Sequence, residues 1–141
     1  MVTQFIHSAL SETDYLTTDL NSLADDGSFL GEAINNSSNR DMFLKVLIEL
    51  ASVDLSAQTG PAVQIRLIES IDGGTVYEDN DDQAYGITLP VAETSAAHKR
   101  IGMLAIPPGY FKLAVVNKTG AAFAATGNVL AYAPYTPETD S

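Results

Sequence analysis

Apolar and polar residues alternate along most of this chain, with a period of two. The longest run is 42–53, where Met42, Leu44, Val46, Ile48 and Leu50 alternate with Phe43, Lys45, Leu47, Glu49 and Ala51. The first set is wholly apolar and the second mixed, as in a strand with one face in a core and the other partly wet. A helix is the competing reading, and β-branched Val46, Ile48 and Val53 together with the period decide for a strand. Val63, Ile65 and Leu67 alternate with Gln64, Arg66 and Ile68 in the same way. So do Phe111, Leu113 and Val115 with Tyr110, Lys112, Ala114 and Val116. Shorter extended runs fall at 29–34, 75–77, 86–91, 98–106 and 129–132, and Pro90 points to an edge for the third of these.

Turn chemistry separates the runs. Asp25-Asp26-Gly27-Ser28, the Asn-rich stretch 35–39, Gly60-Pro61, Asp72-Gly73-Gly74, Pro107-Pro108-Gly109, Asn117-Lys118-Thr119-Gly120 and Thr126-Gly127-Asn128 are all breakers. The stretch 104–132 is expected to be a β-meander with two tight turns. About eight strands with turns roughly every 8–12 residues, and no convincing helix, predict an all-β fold: an antiparallel β-sandwich or jelly roll.

The pattern divides the chain into an extended N-terminal arm over 1–27, a β-sandwich domain over 28–133 and a solvated C-terminal tail over 134–141. Ser and Thr weaken helix formation in the arm, and 15–20 is a candidate edge strand. Phe5, Ile6, Leu10, Tyr15 and Leu16 make the arm too apolar for a free tail. Two readings stand: a frayed terminus, or a segment that packs on a neighbouring subunit.

Composition narrows the function classes. At 141 residues one domain is expected, long enough to bury roughly two-thirds of its unfolded surface. No apolar run approaches the ~20 residues of a membrane span, and the N-terminus lacks the basic and apolar regions of a signal peptide, so neither membrane nor export is expected. Eighteen acidic against seven basic residues give −11 at pH 7. Such a field repels phosphates and argues against DNA or RNA as partner. No cysteine is present, which removes disulfides and thiolate metal sites.

Candidate chemistry is sparse. Asp79, Asp81 and Asp82, with Glu78 and Asp72 nearby, are the one cluster that offers calcium the hard oxygens it prefers, yet the spacing is not that of a twelve-residue calcium loop. His98-Lys99-Arg100 either meets an acidic partner or lines a strand end. Glu49, Glu69 and Glu93 give no sign of a carboxylate pair across a cleft. No G-x-S-x-G or phosphate-cradling glycine loop occurs, and no enzyme and no cofactor are expected. Tyr77, Tyr85, Tyr110, Tyr132 and Tyr135 are either a sugar-stacking platform or packing residues, and the lack of Trp favours packing.

Four stretches carry a resemblance: 19–24 (Asp-Leu-Asn-Ser-Leu-Ala), 33–39 (Ala-Ile-Asn-Asn-Ser-Ser-Asn), 69–77 (Glu-Ser-Ile-Asp-Gly-Gly-Thr-Val-Tyr) and 107–128. Together they resemble small β-rich virion structural proteins of tailed bacteriophages, some of them capsid decoration (cement) proteins. The resemblance spans about residues 14–132 and rests on strands and turns. It implies a virion component, made in the host cytoplasm, that forms a homo-oligomer and adheres to the major capsid protein on the outer capsid surface. A trimer suits three-fold lattice points. A tail or baseplate component is the alternative within that class, and a carbohydrate-binding β-sandwich module the alternative outside it.

Overall fold

A computed structural model describes residues 4–7 and 10–140, with side chains described over 10–137. Among the described residues there are eleven strands and no helix. They are β1 (Gln4–His7), β2 (Thr13–Leu16), β3 (Ser28–Leu30), β4 (Ile34–Asn35), β5 (Phe43–Leu50), β6 (Ala62–Glu69), β7 (Gly86–Pro90), β8 (His98–Ala105), β9 (Tyr110–Lys118), β10 (Val129–Tyr135) and β11 (Pro137–Asp140).

Two antiparallel sheets hold nine of them. One sheet has the order β2-β10-β5-β8, and the other β3-β9-β6-β7, with β4 also paired to β9. The chain changes sheet at β2→β3, β4→β5, β5→β6, β7→β8, β8→β9 and β9→β10, which makes a jelly-roll sandwich. The alternation explains the core. Leu44, Val46, Ile48 and Leu50 of β5 meet Val63, Ile65 and Leu67 of β6 and Phe111, Leu113 and Val115 of β9, all buried. Each such side chain contributes roughly 1.5–3 kcal/mol. β8 closes over β7 at one side. A Cβ on Gly102 would lie 2.9 Å from Leu89 Cδ2 and strike the end of Ile87, so a larger residue there would displace those side chains.

Four expectations change. The stretch 104–132 is not a meander, because β8, β9 and β10 alternate between sheets. Period-two patterning says which face is buried but not which strand lies alongside. Gly120 and Gly127 do take positive φ (89° and 87°), but the connection they flank crosses from one sheet to the other. Second, the boundary at residue 27 falls inside the sandwich: β2 pairs with β10, and Leu16 and Leu20 are buried.

Third, residues 134–140 of the expected solvated tail are in strands or between them. β10 continues through Pro134 and Tyr135 against β5. Proline is tolerated there because β2 stops pairing at Tyr132, leaving that side of β10 an edge. Beyond it, β11 pairs with β1 in a two-stranded ribbon. Fourth, the run 29–34 splits into β3 and β4, and 75–77 retains only a bridge between Ser70 and Tyr77.

Candidate functional site

Three surfaces bear on function, and each is shaped by identifiable residues. At one end of the sandwich the loop 36–41 is fixed by the buried amide of Asn36. Its Nδ2 donates to the carbonyls of Asp41 (2.9 Å) and Pro107 (2.7 Å), and its Oδ1 accepts from the Asp41 N–H (2.9 Å). The loop, thus tied to the β8–β9 turn, borders an open cleft of about 530 Å³. Leu44, Phe111, Ile34 and Ile106 form its apolar part, Tyr132 and Pro134 line it from β10, and Ser11, Thr13, Asn35, Asn39 and Asp41 bring polar groups. Much of that polarity is already engaged. Asn35 Oδ1 accepts from Ser37 N–H (2.9 Å), and Asp41 Oδ1 accepts from Thr136 Oγ1 (3.0 Å). Among the described residues the side chains of Ser11, Thr13 and Asn39 hold no hydrogen bond.

Behind Tyr132 stands Tyr15, edge-on at 5.6 Å between ring centroids. The Tyr15 hydroxyl donates to the Glu32 carbonyl and accepts from the Leu113 N–H at 3.3 Å, so it joins β2 to the opposite sheet. Burial pushes its phenol up to about 12, against the pull of the Leu113 N–H. A side chain at Gly31 would collide with its ring. Tyr15 and Leu16, expected at a subunit interface, therefore serve the chain's own interior. Leu10 is exposed, and Phe5 and Ile6 lie in β1, where side chains are outside the described residues.

The second surface is the outer face of the β2-β10-β5-β8 sheet. Register sets Ala131, Leu47 and Ile101 in one row, Ala133, Lys45 and Met103 in the next, and Tyr135, Phe43 and Ala105 in a third. Phe43 and Tyr135 stack at 5.5 Å, and the Tyr135 hydroxyl reaches Met103 Sδ. Ile101 is 69% exposed and Met103 51%, and a shallow groove of about 150 Å³ runs between Leu47, Ile101, Ala131 and Ala133. Only Lys45 and the exposed Lys99–Glu49 pair (3.5 Å) bring charge to the outward positions of β5 and β8. The signal lay in Phe43 and Leu47 of the mixed set and in Ile101 and Met103 of the run 98–106.

The acidic loop is held against the outer face of the other sheet. Arg66, buried on β6, donates to Asp82 Oδ1 at 2.7 Å and Asn80 Oδ1 at 3.2 Å. Lys112 Nζ sits 4.3 Å from the Tyr77 ring centroid. Ile68, paired with Lys112 and outside the core cluster, is buried as well. The calcium candidates do not assemble. Asp82 is taken by Arg66, and Asp81 Oδ1 accepts from the Gln83 N–H (2.9 Å). Asp72 binds its own turn through the N–H groups of Val76 and Thr75, which hold its carboxyl below the usual range. Among the described residues no three acidic or histidine side chains, Asp79 included, gather around a point where a metal would sit.

The remaining candidates disperse. His98 Nε2 is buried without a hydrogen bond, Lys99 pairs with Glu49, and Arg100 is exposed, so the trio lines a strand end. Glu93 accepts from the Gly60 N–H (3.2 Å), far along the chain from Glu49 on the sheet face and Glu69 at the end of β6. Tyr77 and Tyr110 flank Gly74, Tyr85 accepts from the Ala105 N–H, Tyr132 meets Tyr15 and Tyr135 meets Phe43; they form no platform.

No protein-family model matches the sequence, and no curated protein matches it. Several solved structures are similar in fold. One is CBM35 from Cellvibrio japonicus Abf62, with 10% identity, 99% of each chain covered and a TM-score of 0.48. Another is Xyl-CBM35 in complex with a glucuronic acid containing disaccharide, with 10% identity, 97% and 96% coverage and a TM-score of 0.45. A third is a chain of Desmodium yellow mottle tymovirus, with 9% identity, 100% and 92% coverage and a TM-score of 0.45. Each is a likeness of fold alone.

Proposed function

We propose that the chain is a non-enzymatic virion structural protein of a tailed bacteriophage, a capsid decoration protein. It docks the outer face of its β2-β10-β5-β8 sheet on the major capsid protein. The observation that carries this reading is the apolar face itself. A face whose two outer rows are wholly apolar and whose middle row carries Lys45 between Ala133 and Met103, with Ile101 and Met103 open to water, is unusual on a chain of net charge −11. Contiguous apolar surface rimmed by charge is the signature of a protein contact. The phage assignment comes from the sequence resemblance, and the acidity suits an outer capsid surface away from packaged DNA. A protein bound only to the assembled shell stabilises it by mass action. The test is the disassembly temperature of shells built from the major capsid protein. Saturating decoration protein should raise it, and an unchanged temperature contradicts the reading.

The end cleft favours a second reading, a carbohydrate-binding module. Tyr132 offers an aromatic surface, and Ser11, Thr13 and Asn39 offer hydroxyls and an amide not engaged elsewhere. Jelly rolls serve both viral shells and sugar-binding domains. The named structures lean toward the second, but at TM-scores below one half that is likeness of fold and carries no function. Glycan-array binding that Asn39→Ala abolishes and Ile101→Asp leaves intact would replace the first reading with this one.

A further inference from the structure

Each sheet of the sandwich has two edges, and three of these four edges are protected. β2 has four residues and meets β10 through a register shift. β3 and β4 have three and two residues, and β7 has five and ends in Pro90. Short strands, irregular pairing and proline all discourage pairing with another chain. β8 has none of these defences: it runs for eight residues without proline and has a single neighbour, β5.

The open side of β8 follows from one hydrogen bond. Ala105 N–H donates to the Tyr85 hydroxyl at 3.2 Å, so it points away from β5. Backbone groups alternate in direction along a strand, and those of Met103, Ile101 and Lys99 therefore point the same way. Among the described residues none of these three finds a backbone partner on that side. The side chains of Lys99, Ile101 and Met103 are exposed as well, so nothing lies over this edge. A row of free N–H and C=O groups is satisfied by an extended strand laid alongside it.

We propose that β8 pairs with β8 of a second copy, antiparallel about a two-fold axis at Ile101. The strand is self-complementary in that register. Ile101 meets the partner's Ile101, Lys99 the partner's Met103, and Arg100 the partner's Gly102. No like charges stand opposite each other, and β8 holds no acid although the chain holds eighteen. The two copies of Lys99 lie about 14 Å apart along the strands, beyond the reach of unscreened repulsion at physiological salt. The row Ala131, Leu47, Ile101 runs on into its counterpart, and the exposed isoleucines cover each other. Two four-stranded sheets thus become one of eight, ending on both sides in the short β2. The contact uses the same patch on both copies, so it closes at two. It stands independently of the contact with the major capsid protein, and no measurement below uses shells.

Light scattering on the unaltered chain should give twice the 15.0 kDa of one copy. Ile101→Pro removes an N–H on the open side and leaves the bonds to β5 in place. That variant should melt cooperatively and run as a monomer. Ile101→Lys sets like charges opposite each other at the axis and should also run as a monomer, which keeps the test in force if the proline variant fails to fold. Disulfides read the register, because the chain has no cysteine of its own. Opposed Cα atoms about 5.5 Å apart are within disulfide reach. Ile101→Cys should therefore oxidise to a covalent dimer, while Lys99→Cys should not. A monomeric unaltered chain, which would leave the edge to a strand of another protein, overturns the proposal. So does a dimer that survives Ile101→Lys, an Ile101→Cys chain that does not cross-link, or a Lys99→Cys chain that cross-links as readily.

Discussion

Asn36, Asn117 and Asn128 show what single buried amides do in this chain. Asn117 donates to the carbonyls of Leu23 (2.9 Å) and Ala121 (2.8 Å) and accepts from the N–H and hydroxyl of Thr119 (2.9 and 2.7 Å). Asn128 donates to Asn21 Oδ1 and the Ala124 carbonyl and accepts from the Ala51 N–H. Each ties a long connection to a strand end. Removing one leaves several buried polar groups unpaired, so Asn117→Ala should cost about 2–4 kcal/mol in denaturant unfolding. A cost within about 0.5 kcal/mol would mean that water replaces the amide. Tyr15 sets the alkaline limit. With its pKa raised from 10.0 to about 12, it is protonated in both states below pH 10. As pH rises from 10 toward 12 the unfolded chain ionises first, so stability is lost across that window. Tyr15→Phe should cost about 1–2 kcal/mol at pH 7 through its lost hydrogen bonds yet flatten the fall between pH 10 and 12. A melting series against pH checks both.

At the scale of elements, Arg66 decides whether the acidic loop stays on the sheet. Arg66→Ala should speed hydrogen exchange and proteolysis across 70–82 while β6 and β9 stay protected; equal protection throughout would show that Tyr77 and Lys112 hold the loop unaided. The strands that specify the core were legible because their apolar sets are clean. Val63, Ile65 and Leu67 and their counterparts in β5 and β9 had to face inward whatever their neighbours. What lay beyond reach was pairing. Nothing in 110–132 says that β9 and β10 belong to different sheets, since that depends on contacts with residues 28–69. The N-terminal boundary failed for a related reason. Leu16 and Leu20 sit among Ser, Thr and Asp, and only the cross-sheet role of Tyr15 shows that they complete the core. Deleting residues 1–9 should accordingly leave a cooperative thermal transition, whereas deleting 1–20 should abolish it. The candidate site was half legible. The acidic loop drew attention as a cation site because sequence cannot see Arg66 beneath it, and the outer apolar face was hidden in a mixed pattern that also fits a wet surface.

At the scale of the whole molecule, an apolar sheet face and an open end stand against a strongly acidic net charge. With a charge of −11, two copies repel at a distance, and any stable contact must rest on apolar area or on a basic partner. Lys45 and the Lys99–Glu49 pair are the charges at the outward positions of β5 and β8, so the face proposed to dock carries none of the net negative charge on those strands. Contact there should therefore survive salt, because screening acts on exposed charges and little on buried apolar area. The most direct measurement is co-sedimentation of the purified chain with shells of the major capsid protein, beside the double variant Ile101→Asp/Met103→Asp. Both side chains are exposed, so the variant should melt within a few degrees of the unaltered chain. The unaltered chain should sediment with the shells in saturable, stoichiometric amount while the variant stays in the supernatant. A folded variant that binds as well as the unaltered chain, or an unaltered chain that does not bind, would contradict the account.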